Sequence, residues 1–121
     1  MILGYYPGWA DGFVKEYLDN LKRDGQRRKA EAKLLVDLQI LASTWPRPQF
    51  VTARLLKGHE PLWEIKREFQ GIGYRIFFCV NGQEIWLLHA LEKKAQKTPT
   101  SDLELAYKRM QNIFTGKIRR A

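Results

Sequence analysis

The sequence predicts an α+β domain: a helical hairpin packed on one face of an antiparallel β-sheet, with a further helix closing the chain. Three observations carry that expectation. Two apolar stripes of helical period lie between Phe13 and Ala42, joined by a short Asp24-Gly25 link. A run of alternating segments follows from Phe50 to Leu88, and a third helical stripe begins at Leu103. At 121 residues the chain is read as one domain over residues 1–121, long enough to bury a core.

Taken in order, Ile2 to Tyr6 is short, β-branched and aromatic, and adds one edge strand that Pro7-Gly8 ends. Asp11 is placed to cap the first helix, whose core stripe is Phe13, Val14, Tyr17, Leu18 and Leu21. The second helix runs from about Gln26 to Thr44, with Ala30, Leu34, Leu35, Leu38, Leu41 and Ala42 as its stripe. Arg27, Arg28, Lys29 and Lys33 crowd its start, where the macrodipole disfavours cations. Both a solvated face and a contact surface fit that placement.

Trp45-Pro46-Arg47-Pro48 carries the chain to the sheet. Strands are expected over Phe50–Lys57, Leu62–Phe69 and Tyr74–Val80, with Gly71-Ile72-Gly73 turning the second into the third. Asn81-Gly82 is a type I′ hairpin signal, and pairing Val80 with Gln83 sets Phe78 against Ile85, Phe77 against Trp86, and Tyr74 against His89. Thr98-Pro99 breaks the chain. Ser101 and Glu104 then have capping-box spacing ahead of Leu103, Ala106, Tyr107, Met110, Ile113 and Phe114.

The charge is the unusual bulk property. A net charge of +8 and a pI near 9.8 favour polyanionic partners, although a solvated Lys/Arg surface gives the same number. Cys79 is the single cysteine, mid-strand, and reads as a packed thiol. The N-terminus lacks a basic region followed by a long apolar one, and no apolar run approaches the roughly 18 residues of a membrane span. A cytoplasmic protein without membrane association is expected.

No P-loop, GxSxG, HExxH or carboxylate cluster is present, and His59 and His89 are too far apart for a zinc motif. No metal and no cofactor are therefore expected. Parity along the strands puts Trp63, Ile65, Ile76, Phe78, Ile85 and Leu87 toward the helices, and Glu64, Lys66, Arg75, Phe77 and Trp86 on the opposite face. Arginine among aromatics, followed by Lys93, Lys94 and Lys97, suits an anion that also stacks, and RNA meets both demands. Arg75 has two readings, an internal ion pair with Glu64 or a phosphate clamp. The three lysines read either as a solvated patch or as a phosphate cradle. His89 is a hydrogen-bonded core histidine or a base, and His59 a loop spacer or a mobile base.

Leu55-Leu56-Lys57-Gly58, Leu62-Trp63-Glu64-Ile65-Lys66, Tyr74-Arg75-Ile76-Phe77-Phe78 and the string from Leu87 to Pro99, LLHALEKKAQKTP, together resemble the HigB-like, phage-derived branch of the RelE/ParE toxin superfamily. Glu104-Leu105-Ala106 with Lys108-Arg109 is similar to that family's closing helix. The resemblance implies a RelE/ParE-like fold with a curved sheet, and the toxin of a type II toxin–antitoxin pair with a helix-turn-helix antitoxin as partner. It further implies a metal-independent, ribosome-associated endoribonuclease acting on messenger RNA through 2′-hydroxyl attack. On that basis Arg75, Lys94 and Lys97 are catalytic candidates, with Lys66, Arg67, Phe77, Trp86 and Lys93 binding RNA. Lys66 stands where the family usually has arginine, and Leu91-Glu92 replace an aromatic and an aliphatic residue. A gyrase-inhibitor-like binding toxin and a basic phage-type accessory protein are the alternatives.

Overall fold

The computed structural model describes residues 1–93 and 98–120. Its elements are β1 (Ile2–Tyr5), α1 (Phe13–Arg23), α2 (Arg28–Thr44), β2 (Thr52–Leu55), β3 (Trp63–Phe69), β4 (Ile72–Asn81), β5 (Glu84–Lys93) and α3 (Thr100–Phe114). The strands form one five-stranded sheet in the order β1-β5-β4-β3-β2. The expected α+β class holds, with one refinement. β1 pairs parallel to β5, so the sheet is mixed. The antiparallel meander β2-β3-β4-β5 returns the chain beside β1 running in the same direction.

The two tight turns exchange roles. Gln70 and Gly71 both have positive φ, 52° and 77°, the type I′ signature, and join the paired residues Phe69 and Ile72. In the next hairpin only Gly82 is positive, at 62°, as in a type II′ turn, and it is Asn81 that pairs with Glu84. Val80 therefore meets Ile85 instead of Gln83. A register change by two residues leaves every side chain on its expected face.

Beyond Phe78 the faces do change. Phe78 pairs with Leu87 but Phe77 with His89, so Leu88 is an extra residue in β5, a β-bulge. Its carbonyl accepts a hydrogen bond from Arg109 Nη1 on α3 at 2.8 Å. From His89 onward, alternation along β5 is reversed: Ala90 and Glu92 turn toward the helical hairpin, and His89 and Lys93 toward the other face.

Two capping expectations are corrected. Gly12, not Asp11, occupies the N-cap of α1, because the Asp11 carbonyl closes the preceding turn on Gly8 N–H at 3.0 Å. A Cβ at Gly12 would lie 2.1 Å from the Tyr6 carbonyl oxygen, so only glycine fits. α3 begins at Thr100 with Pro99 before it, and Leu103 N–H bonds the Pro99 carbonyl at 3.1 Å. Ser101 thus lies inside the first turn, and the capping box does not form.

Each face of the sheet has its own core. Val14, Leu18 and Leu21 of α1 and Ala30, Leu34, Leu38 and Leu41 of α2 bury Ile65, Ile76, Phe78, Ile85 and Leu87. On the other face, Ala106, Met110 and Ile113 of α3 cover Phe77, Cys79, Trp86 and Leu88. α2 departs from the expected stripe: Asp37 and Glu31 are buried while Leu35 is exposed. Among the described residues no helix is long and apolar enough to cross a membrane.

Cys79 is fully buried, as expected of a packed thiol, and burial pushes its pKa up to about 12. A raised folded-state value makes its stabilising contribution complete below the thiol's ordinary pKa near 9 and lost as pH rises toward 12. Melting curves should show the Cys79→Ala variant losing stability less steeply above pH 9, by up to about 1.4 kcal/mol per pH unit. Parallel slopes for the two proteins would contradict this. In native protein at pH 8 the thiol should resist Ellman's reagent, and react at once in guanidinium.

Candidate functional site

On the face that α3 packs against, strand pairing brings cations from four strands together. Arg54 on β2 lies opposite Glu64 on β3, and Lys66 lies opposite Arg75 on β4. Lys93 at the end of β5 points the same way, next to the Gly73 end of β4, because the bulge has reversed its direction. The centre of the group is an ion pair: Arg75 Nη1 donates to Glu64 Oε1 at 2.7 Å. Side-chain exposure is 6% for Arg75 and 1% for Glu64, so the pair is fully desolvated. Arg54 Nη2 donates to the same oxygen at 2.9 Å from a side chain that is 62% exposed. Glu64 Oε2 is buried without a hydrogen-bond partner.

Lys93 reports the field of this group. Its ammonium is nearly buried and donates to Thr98 Oγ1 at 3.4 Å. Its pKa is lowered, first by loss of water and then by the charge of Arg75, with Arg54 and Lys66 acting in the same direction and Glu64 opposing them. Arg54 and Arg75 bind the Glu64 carboxylate, and Lys66 and Lys93 add positive charge on the same face. An excess of partly dehydrated positive charge is stabilised by an anion, and a phosphodiester supplies both the charge and the acceptor oxygens.

The expected site residues divide accordingly. Arg75, Lys66 and Lys93 come together, and the internal ion pair foreseen as one reading of Arg75 is present. Arg67 does not join them. Strand alternation turns it to the hairpin side, where its Nε and Nη2 hold the Asp37 carboxylate at 2.8 and 2.5 Å. Phe77 and Trp86 are on the right face but have no exposed ring, since α3 and Trp9 cover them. Base stacking on either is therefore corrected to core packing. Lys94 and Lys97 lie outside the described residues.

Arg54 was missed by sequence reasoning. The signal was its odd-even position in the strand before Glu64, which becomes informative only once the β2–β3 register is known. Glu92, adjacent in sequence to Lys93, is turned to the opposite face of the sheet from it. It faces α2 and accepts from Arg27 Nε at 2.6 Å. His89 is also on the α3 face instead of the hairpin face, with its Nε2 2.6 Å from Asp102 Oδ1 and its ring stacked on Phe77. His59 Nε2 lies 2.9 Å from Glu104 Oε1, and its ring meets Tyr107 edge-on. Both histidines are held by α3.

The family model for phage-derived Gp49-like proteins (DUF891) matches residues 16–111, from within α1 almost to the end of α3. The chain belongs to this family. No curated protein and no solved structure matches it. Gp49-like proteins are a RelE/ParE-type toxin family, which accords with helices laid on a sheet and points to an antitoxin as partner. In this Gp49-like chain the cationic group lies inside the matched region, apart from none of its members.

Proposed function

We propose that this Gp49-like protein is the toxin of a type II toxin–antitoxin pair, of HigB-like type, and that it cleaves messenger RNA on the ribosome without a metal. The observation that carries the reading is the gathering of Arg54, Lys66 and Lys93 on one sheet face around the buried Arg75. The Lys93 pKa is lowered there, first by burial and then by the neighbouring positive charge. In the reaction the ribose 2′-hydroxyl gives its proton to water and its oxygen bonds to the adjacent phosphorus. The P–O5′ bond then breaks, leaving a 2′,3′-cyclic phosphate and a 5′-hydroxyl end. Preorganised guanidinium and ammonium groups stabilise the crowded anionic phosphorane. Arg75, locked by Glu64, is the fixed clamp; Arg54 and Lys66 hold the flanking backbone. A lysine with a lowered pKa is a better proton donor to the leaving 5′-oxygen, and Lys93 takes that role. Lys94 and Lys97 retain the charge-neutralising role implied by the family motif.

The test uses the rim, where substitutions leave the fold intact. Arg54→Ala and Lys66→Ala should each change stability by less than about 0.5 kcal/mol. Each should reduce cleavage about tenfold or more, the cost of losing one charge-assisted hydrogen bond to phosphate. Induction in bacteria followed by mapping of new messenger RNA 5′-ends reads this directly. Growth arrest without new ends, equal in wild type and both variants, would replace the nuclease reading with a binding poison, to be assayed on gyrase supercoiling.

A further inference from the structure

α2 is apolar on two sides. Its inner side is in the core, while its outer side presents Ala32, Leu35, Val36 and Gln39 at the i, i+3, i+4, i+7 spacing of one helix face. Leu35 is 37% exposed and Val36 is 52% exposed. A surface helix ordinarily gives its outer face to polar residues, and the middle of α2 does not.

The charges around this seam have one sign. Both carboxylates of α2, Glu31 and Asp37, are buried, and Asp37 is held by Arg67. The exposed charges of the helix are Arg28, Lys29 and Lys33, all within its first turns, where the macrodipole opposes them. Neither the fold nor the cationic site uses the seam, since the site lies on the opposite side of the sheet.

We propose that the outer face of α2 docks an acidic amphipathic helix of a partner protein. Apolar side chains of that helix pack on Leu35 and Val36, and its carboxylates reach Arg28, Lys29 and Lys33. A second copy of this chain is disfavoured, because its own basic face would be repelled. Nucleic acid would engage the cations but gain nothing from Leu35 and Val36. A lipid surface would call for a broader apolar face with aromatic anchors, which this seam lacks. On the toxin reading above, which this inference uses only to name the partner, the helix belongs to the antitoxin.

The probe is a fluorescein-labelled peptide of glutamate, alanine and leucine, with leucines at i, i+3, i+4 and i+7, read by fluorescence anisotropy. The control is a peptide of the same composition with the leucines scattered. The patterned peptide should bind at least about tenfold more tightly than the control, and Val36→Glu or Leu35→Glu should remove that advantage. Both positions are exposed, so melting temperatures should stay level and report an intact fold. Equal binding of the two peptides, or no effect of Val36→Glu, would overturn the proposal. So would a Val36-dependent affinity for phosphatidylglycerol vesicles in place of the peptide. A protein that binds the patterned peptide yet fails to arrest growth would keep the docking face and lose the toxin reading; the reverse pairing would do the opposite.

Discussion

Replacing Arg75 alone by alanine is expected to lower stability by about 3–5 kcal/mol, because it strands the Glu64 carboxylate in a buried site. A domain with a total stability of about 5–15 kcal/mol survives such a loss poorly. Disappearance of toxicity in that variant would then report unfolding as readily as chemistry. The informative change removes both charges at once. Glu64→Leu combined with Arg75→Met replaces the pair by apolar groups of similar volume, a substitution that is often neutral or stabilising. The double variant is expected to melt within about 2 kcal/mol of wild type, judged by urea denaturation, and to produce no new messenger RNA 5′-ends. Full cleavage by a folded double variant would remove Arg75 from the mechanism.

Trp86→Ala should cost about 3–5 kcal/mol through the cavity it leaves between the sheet and α3. The indole is packed against Trp9 at 4.8 Å between ring centroids, and its Nε1 donates to Glu84 Oε1 at 3.1 Å. The melting temperature should fall on the order of 10 °C or more. RNA affinity, measured well below the melt on folded protein, should not change, because no face of the ring is open to a base. A variant that melts like wild type but binds RNA weakly would reverse the assignment of Trp86 to the core. The same contrast applies to Phe77, which is equally buried.

These two experiments separate roles that strand parity alone runs together. Parity places Arg75, Phe77 and Trp86 on one face. It does not say that α3 seals the aromatic half of that face while cations from β2, β3, β4 and β5 gather on the rest. A sequence shows how a strand alternates. What covers each face depends on where a helix later in the chain comes to rest.

Much of the architecture was written in local patterns. The alternation of Trp63 to Lys66 and of Tyr74 to Phe78 decided which side chains meet the helical hairpin, because pleating admits only two faces. The spacing of Val14, Leu18 and Leu21 and of Ala30, Leu34, Leu38 and Leu41 decided the core side of both helices. Burial of Cys79 followed from the same alternation, and the excess of Lys and Arg fixed the sign of the field. Tertiary structure decided the rest. The parallel pairing of β1, the register of β2 that delivers Arg54, and the bulge at Leu88 are long-range events with no local signature. The bulge matters most: one unpaired residue, its carbonyl held by Arg109, sends Glu92 to Arg27 and turns Lys93 toward Arg75. Side chains in a strand alternate with period two, so a single inserted residue is enough to exchange an acid for a base at the site.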